Sequence, residues 1–316
     1  MKEIGGYFEL ELPQKEEHHK NGISLNSARN AFKYILQAQA VLKVYLPTFI
    51  CNSMLEPLEE LKIDYEFYGI NEKFEINEKF DLKTNEKLVY VNYFGLKSKY
   101  IHKLSTIYNN NLIVDNTQAF FELPIKNIDT IYSARKFFGV SDGGYLYTTK
   151  FLNKELKVDS SYESSIQLVG RIDQDASEFY KYYQKSENRL INLPIKFMSK
   201  LTKRILGSID YKDVQVKRER NFDILHRELK KYNKLKIEIE DMSTPLIYPF
   251  MSEDKTLRDK LIANKIYVAQ YWCEVLKRKK LTDIEKLFVN QIIPLPVDQR
   301  YNSEDMHRIL KVIIGS

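Results

Sequence analysis

In Tyr132-Ser-Ala-Arg-Lys-Phe-Phe-Gly-Val-Ser-Asp-Gly-Gly144 a single lysine, Lys136, stands between an apolar run and a turn. The apolar run, Thr130-Ile-Tyr132, reads as a strand, and Ser141-Asp-Gly-Gly144 reads as a turn whose glycines permit close backbone approach. A lysine is a surface residue by default. Lys136 rises above that default because the same layout recurs upstream. Leu88-Val-Tyr-Val-Asn-Tyr-Phe94 and Leu112-Ile-Val114 are further buried-strand runs, each finishing in polar or glycine residues. Val44-Tyr-Leu46 is another, ended by Pro47. Residues 25–36 read as a turn with an Asn or Ser cap, followed by a helix with Ala28, Ala31, Phe32 and Ile35 on its apolar face. From Ser24 to about Leu201 apolar runs alternate with amphipathic stretches, the pattern of βα units around a mostly parallel sheet with flanking helices. An open α/β sheet binds ligands at the C-terminal ends of its strands, which is where this pattern puts Asn92, Asp115 and Lys136.

Downstream the pattern changes. Residues 157–192 are polar, Tyr-rich and weakly periodic, and are expected to form an insertion covering the site or a helical excursion. From Val214 the spacing is helical, clearest over residues 218–230. A short strand over 245–250, a helix over 256–264 and a closing helix over 303–314 complete a smaller α+β C-terminal domain. Ser303-Glu-Asp305 supplies the last helix with a cap and an acidic first turn. The expected division is a large domain over 1–212 and a small one over 213–316.

Composition fits this organisation. A chain of 316 residues with 43% hydrophobic and 13% aromatic content can bury a large core. The net charge of +6 is mild and intermixed with acids, so no basic stripe for nucleic acid is expected, while an anionic small substrate is compatible. The two cysteines, Cys51 and Cys273, form no paired framework and no CxxC, which favours a reducing cytoplasm. The N-terminus has no apolar signal core, and no stretch approaches about 18 uninterrupted apolar residues, so no membrane span is expected. No metal site is expected.

Four segments supply what a phosphorylated pyridine aldehyde needs. The amine of Lys136 can form a Schiff base with the aldehyde, which calls for a confined, partly desolvated site. Asp115, directly after a buried strand, either caps the next helix or pairs with a cation such as a pyridinium nitrogen. Gln118, three residues on, would lie beside Asp115 one helical turn later, within reach of a ring oxygen, or is simply a solvated polar residue. Ser27, Ala28 and Arg29 stand at a helix N-terminus, where free backbone N–H groups bind phosphate or where Asn26 or Ser27 merely caps the helix. The hydroxyl of Ser133, three residues before Lys136, could complete a phosphate cup. Asn92 and Phe94, in Asn92-Tyr-Phe-Gly95, offer an amide and an aromatic to the ring, although a buried core aromatic is the commoner outcome.

Taken together, the order of helix start, strand-end Asn-Tyr-Phe-Gly, Asp-x-x-Gln and Ser-x-x-Lys with a trailing Gly-Gly resembles the fold-type-I enzymes of pyridoxal 5'-phosphate (PLP). Among them it is most similar to the DegT/StrS sugar-nucleotide aminotransferases. Ser27-Ala-Arg-Asn-Ala31 matches their phosphate-binding helix start, Asp115-Asn-Thr-Gln118 their Asp-x-x-Gln or Asp-x-x-His, and Ser133 to Gly144 their Ser…Lys…Gly-Gly. A fainter likeness runs through Arg220-Asn-Phe222, Lys265-Ile-Tyr-Val268 and Pro294-Leu-Pro296. The resemblance implies an aspartate-aminotransferase-like fold with PLP as cofactor. It implies that Lys136 carries the cofactor, that Asp115 holds its ring nitrogen protonated, and that Ser27, Ala28, Arg29, Asn92, Phe94, Gln118 and Ser133 bind it. It also implies transfer of an amino group from a donor such as glutamate to a nucleotide-linked keto-sugar, in polysaccharide or amino-sugar biosynthesis. The enzymes it resembles are homodimers with sites at the subunit interface, to which Arg171 and Arg189 are candidate contributors. The Ser-x-x-Lys spacing is shorter than usual in that group and closer to the cysteine-desulfurase branch, and Ala28-Arg29 replaces the usual Gly-Thr phosphate turn. Two alternatives therefore stand beside it. One is a desulfurase or lyase using Cys273 as a mobile nucleophile, set against a buried structural cysteine in apolar Tyr271-Trp-Cys273. The other is a non-catalytic regulatory protein that keeps the pocket.

Overall fold

A computed structural model describes residues 4–239 and 243–315. Strand β1 (Ile23–Leu25) leads into helix α1 (Ala28–Ala38), followed by β2 (Lys43–Pro47), α2 (Glu56–Leu61), β3 (Asp64–Tyr68), β4 (Glu86–Val91), α3 (Ser98–Tyr108), β5 (Leu112–Asp115), β6 (Asp129–Ser133) and β7 (Gly144–Tyr147). These seven strands form one sheet in the order β1-β7-β6-β5-β4-β2-β3. The pairs among β3, β2, β4, β5 and β6 are parallel, whereas β7 runs antiparallel to both β6 and β1. All four residues of β5 and all five of β6 are buried, as expected of strands covered on both faces. The mostly parallel sheet read from the sequence is therefore present.

Helix α1 starts where the chain supplies a cap. The Oγ of Ser27 accepts the N–H of Asn30 at 3.1 Å, and Phe32, Ile35 and Leu36 turn inward from the same helix. After the sheet come α4 (Ile166–Asp173), α5 (Tyr180–Arg189) and α6 (Lys200–Leu206), so residues 157–192 are the helical excursion of the two expectations. Helix α7 (Tyr211–Leu229) follows, and the expected division at 212 falls within its first turn. The remaining elements are β8 (Ile247–Met251), α8 (Leu257–Ala263), α9 (Asp283–Gln291), β9 (Ile292–Pro296) and α10 (Ser303–Ile314). Strands β8 and β9 make a two-stranded antiparallel sheet, packed by α7 and α9, with α10 lying against α7 and α8. Phe222 of α7 is fully buried there against Tyr248, ring centroids 5.1 Å apart, a burial contributing about 1.5–3 kcal/mol.

Three local expectations shift. The cap of α10 is Asn302 rather than Ser303, because the side chains of Asn302 and Asp305 exchange hydrogen bonds with each other's backbone N–H in a reciprocal capping box. The run over 88–94 leaves the sheet at Val91, and Tyr93–Gly95 forms a tight 3-10 turn. No helix follows β5. The Oδ1 of Asp115 accepts the N–H of Thr117 at 2.9 Å, a local side-chain bond that holds a turn instead.

Candidate functional site

The parallel register brings three strand ends level. Val91 pairs with Asp115, and Asp115 with Ile131, so residues 92, 115 and 133–136 emerge along one edge of the sheet. Asn92 N–H donates to the Asp115 carbonyl at 3.0 Å, and Asn116 N–H to the Ile131 carbonyl at 2.9 Å, extending the ladder past the strands. The backbone then turns at Ala134–Lys136 in a 3-10 turn and sends the Lys136 side chain back toward β5. Lys136 Nζ donates to Thr117 Oγ1 at 2.9 Å, two residues from Asp115. Sequence reasoning missed Thr117, since a threonine between Asp115 and Gln118 carries no signal of its own. Lys136 is exposed rather than confined in the single chain, whereas Asp115 is 4% exposed.

The turn after β5 engages the one after β4. The Oε1 of Gln118 accepts the Phe94 N–H at 2.7 Å, and Asn92 Nδ2 donates to Asn116 Oδ1 at 3.1 Å. Gln118 thus sits next to the Asp115 turn, as expected, but by a side-chain tie to Phe94 rather than by helical spacing. Phe94 adopts φ +60 and Gly95 φ +81, and left-handed backbone at a buried phenylalanine costs about 1–3 kcal/mol, held here by the bond from Gln118. The Phe94 ring is fully buried and stacks against Tyr271 at 6.3 Å.

A second connection runs from the lysine segment to α1. Gly143 N–H donates to the Asn26 carbonyl at 2.9 Å, and its own carbonyl accepts the Ala134 N–H at 3.2 Å. Gly144 lies against the helix start so closely that a Cβ there would come within 2.4 Å of Ala28 N and 2.5 Å of Ser27 C. Gly144 is therefore a packing requirement between Lys136's loop and the N-terminus of α1, whereas Gly143 supplies a φ of +120. At that terminus the N–H groups of Ala28 and Arg29 have no intrahelical acceptor and carry the positive end of the dipole. The Ser27 hydroxyl is the helix cap. The Arg29 guanidinium turns away to the Leu190 carbonyl at 2.6 Å and to Glu56 at 2.7 Å, so only its backbone faces the helix start. Ser133 is 7% exposed at the end of β6, opposite Gly144 in register.

Around this edge lies an ionic shell that the sequence did not reveal. Asn26 Nδ2 donates to Asp159 Oδ2 at 3.1 Å, and Asp159 Oδ1 receives Arg189 at 2.9 Å and Lys196 at 3.1 Å. Burial pushes the Asp159 carboxyl up, but the donors Asn26, Ser160 N–H and Lys196, with the charge of Arg189, hold it below the usual carboxylate range. Arg135 pairs with Glu187 of α5, bringing that helix beside the lysine turn. Arg189 is thus bound within its own chain, and Arg171 is exposed. Cys273 is exposed too, contrary to the buried structural cysteine expected, while Cys51 is half-buried.

The donor set fits a planar, phosphorylated, cationic ring: a primary amine, a buried carboxylate near it and unpaired helix N–H groups share one edge of the sheet. Among the described residues no cluster of His, Cys, Asp and Glu could hold a metal ion, and no helix is long and apolar enough to cross a membrane.

No protein-family model and no curated protein matches the sequence. Solved structures do match the fold. A DegT DnrJ EryC1 StrS aminotransferase from Brucella abortus is 17% identical, with 93% of this chain and 85% of that one aligned at a TM-score of 0.63. Helicobacter pylori PseC, an aminotransferase of pseudoaminic acid biosynthesis, is 15% identical over 93% of this chain and 86% of its own, at 0.64. Spr1654 from Streptococcus pneumoniae in its PMP-form is 13% identical over 95% and 92%, at 0.63. The chain has the fold of the DegT/DnrJ/EryC1/StrS aminotransferases, a mostly parallel seven-stranded sheet flanked by helices with a small antiparallel sheet beside it.

Proposed function

We propose that this protein is a PLP-dependent aminotransferase that transfers an amino group from an amino acid such as glutamate to a nucleotide-linked keto-sugar. The observation that carries the reading is the meeting of Lys136, Thr117 and Asp115 at the strand-end edge, with Lys136 Nζ 2.9 Å from Thr117 Oγ1 and Thr117 N 2.9 Å from Asp115 Oδ1. The shared fold supports it, since its neighbours include aminotransferases of sugar metabolism.

When bound, PLP supplies an aldehyde that an amine can capture and a pyridinium ring that accepts an electron pair. Lys136 Nζ is the amine that holds it. With the cofactor and an amino donor in place, the Lys136 amine, held 2.9 Å from Thr117 Oγ1, would be the group placed to take up and return a proton, as general base and then acid. The Asp115 carboxylate keeps the proton on the ring nitrogen, which a buried anion at that point favours. Ala28 and Arg29 N–H groups, with the hydroxyls of Ser27 and Ser133, take the phosphate. Gln118, whose Oε1 is taken by the Phe94 N–H, would offer its amide Nε2 to the ring oxygen, and buried Asn92 and Phe94 would support the pocket from behind.

The working unit in this reading is a homodimer, with residues 1–212 forming the cofactor domain and 213–316 the small domain. Val169, Ile172 and Tyr180 on α4 and α5 are 60%, 84% and 56% exposed, an apolar surface suited to a second copy. The test is an absorbance titration. Wild-type protein with PLP should show the visible band of a lysine-held cofactor, glutamate should bleach it, and Lys136→Ala should abolish it. A band that persists in Lys136→Ala, or none in wild type, rejects the proposal. Release of alanine from cysteine, with sulfide when a thiol reductant is added, would point instead to a desulfurase using exposed Cys273.

A further inference from the structure

Arg218, in the second turn of α7, is 1% exposed, and its guanidinium is spent on carbonyl and amide partners from three separate segments. Its Nη1 donates to the carbonyls of Pro245 and Leu246 at 3.1 Å each, its Nε to Gln299 Oε1 at 2.9 Å, and its Nη2 to the Phe137 carbonyl at 3.4 Å. Gln299 also donates to that carbonyl, at 2.8 Å, and the guanidinium carbon lies 4.5 Å above the Phe137 ring. Phe137 is the residue after Lys136.

These contacts close a circuit. Leu246 N–H donates to the Phe94 carbonyl at 3.2 Å, Phe94 N–H to Gln118 at 2.7 Å, and Thr117, next to Gln118, receives Lys136 Nζ at 2.9 Å. From Lys136 the path thus runs through Phe137 to Arg218, then to residue 246, the Phe94 turn, the Asp115 turn, and back to the lysine amine. Burying a guanidinium is costly, and its fork of five donors is the one side-chain geometry that bridges so many carbonyls at once.

We propose that Arg218 and Gln299 are positioning residues that fix the Lys136 turn against the Phe94 and Asp115 turns, so that the lysine amine meets the cofactor at a set angle. The proposal rests on the reading of Lys136 as the PLP-holding residue. Neither side chain touches the lysine amine; both act through the Phe137 carbonyl.

The test uses Gln299→Ala and Arg218→Lys, the latter keeping the charge but losing the fork. Three quantities are measured: hydrogen exchange over residues 134–140 in the cofactor-free protein, the PLP dissociation constant, and the pH midpoint of the visible band. Losing one hydrogen bond to a positioning carbonyl should weaken PLP about five- to tenfold in Gln299→Ala, and more in Arg218→Lys, with faster exchange over 134–140 and a displaced pH midpoint. Wild-type affinity, exchange and pH midpoint in Gln299→Ala would overturn the proposal, even if the protein melts earlier, because a merely structural role moves only the melting point. Should Arg218→Lys fail to fold, Gln299→Ala decides alone. Should wild-type protein bind no PLP, the aminotransferase reading falls, and unchanged exchange over 134–140 would still overturn the clamp on its own.

Discussion

Replacing Gly144 by alanine should disturb the site more than any other single methyl on the lysine loop. The new Cβ would stand 2.4 Å from Ala28 N, 2.5 Å from Ser27 C and 2.8 Å from Ser27 O, all backbone atoms at the start of α1. Ordinary contact begins at 3.4 Å, so the helix start or β7 must move by about 1 Å. Overpacking of this kind costs about 1–3 kcal/mol, and the upper end applies because no flexible side chain is there to swing aside. At about 2–4 °C per kcal/mol, the melting temperature should fall by roughly 6–12 °C. If the Ala28 and Arg29 N–H groups hold the PLP phosphate as proposed, ligand binding should suffer separately, because the substitution displaces them. Bonds to a charged group contribute about 1.5–3 kcal/mol, so even one lost bond weakens PLP by tenfold or more. Gly139→Ala is the control on the same loop, since its Cβ would meet only Leu168 at 3.8 Å. Differential scanning calorimetry and PLP titration of both variants decide the matter. A Gly144→Ala protein with wild-type melting and wild-type PLP affinity would refute the close packing of this loop on α1.

His19 gives a pH signature. Its ring lies among Phe120, Tyr132 and Tyr145, with Nε2 donating to the Phe120 carbonyl at 2.7 Å, and burial, helped by the charge of neighbouring His18, pushes its pKa from 6.5 to about 3. The unfolded chain therefore binds a proton that the folded chain refuses. The stabilising effect is complete above pH 6.5 and is lost as pH falls toward 3, by up to about 1.4 kcal/mol per pH unit. Urea unfolding between those limits should show a shallower loss in His19→Gln; identical slopes would refute the neutral buried ring. Lys87 and Asp129, 4% and 7% exposed, pair at 3.1 Å while Gln39 and Thr148 also donate to the carboxylate. Lys87→Met should destabilise by about 3–5 kcal/mol in chemical denaturation, since it strands a buried anion, and a change under 1 kcal/mol would contradict that pairing.

The strands themselves were legible because apolar, β-branched runs give way to polar residues, at Asn92 after Val91 and at Asp115 after Val114. That pattern anticipates the parallel sheet and the edge proposed to bind the cofactor. The helix expected after Asp115 was not, because the choice between a helix and a turn rests on one side-chain bond to Thr117 N–H, which competes with helical spacing on nearly equal terms. Gln118 is tied instead to Phe94 of the next strand end. Arg218 was hidden for the opposite reason. Within Lys217-Arg-Glu-Arg220 it reads as part of a solvated charged face, and only the tertiary fold shows that this one guanidinium points inward. Nor does the sequence mark His19, because an aromatic cluster of Phe120, Tyr132 and Tyr145 closes over it and no local periodicity announces contacts across more than a hundred residues.

The most direct test of Lys136 as the cofactor-holding residue is chemical trapping. Purified protein incubated with PLP is reduced with borohydride, digested, and mapped by peptide mass. A single reduced pyridoxyl group on Lys136, absent when excess glutamate precedes the reductant, is the expected result. An unmodified Lys136 beside a labelled lysine elsewhere in the chain would contradict it.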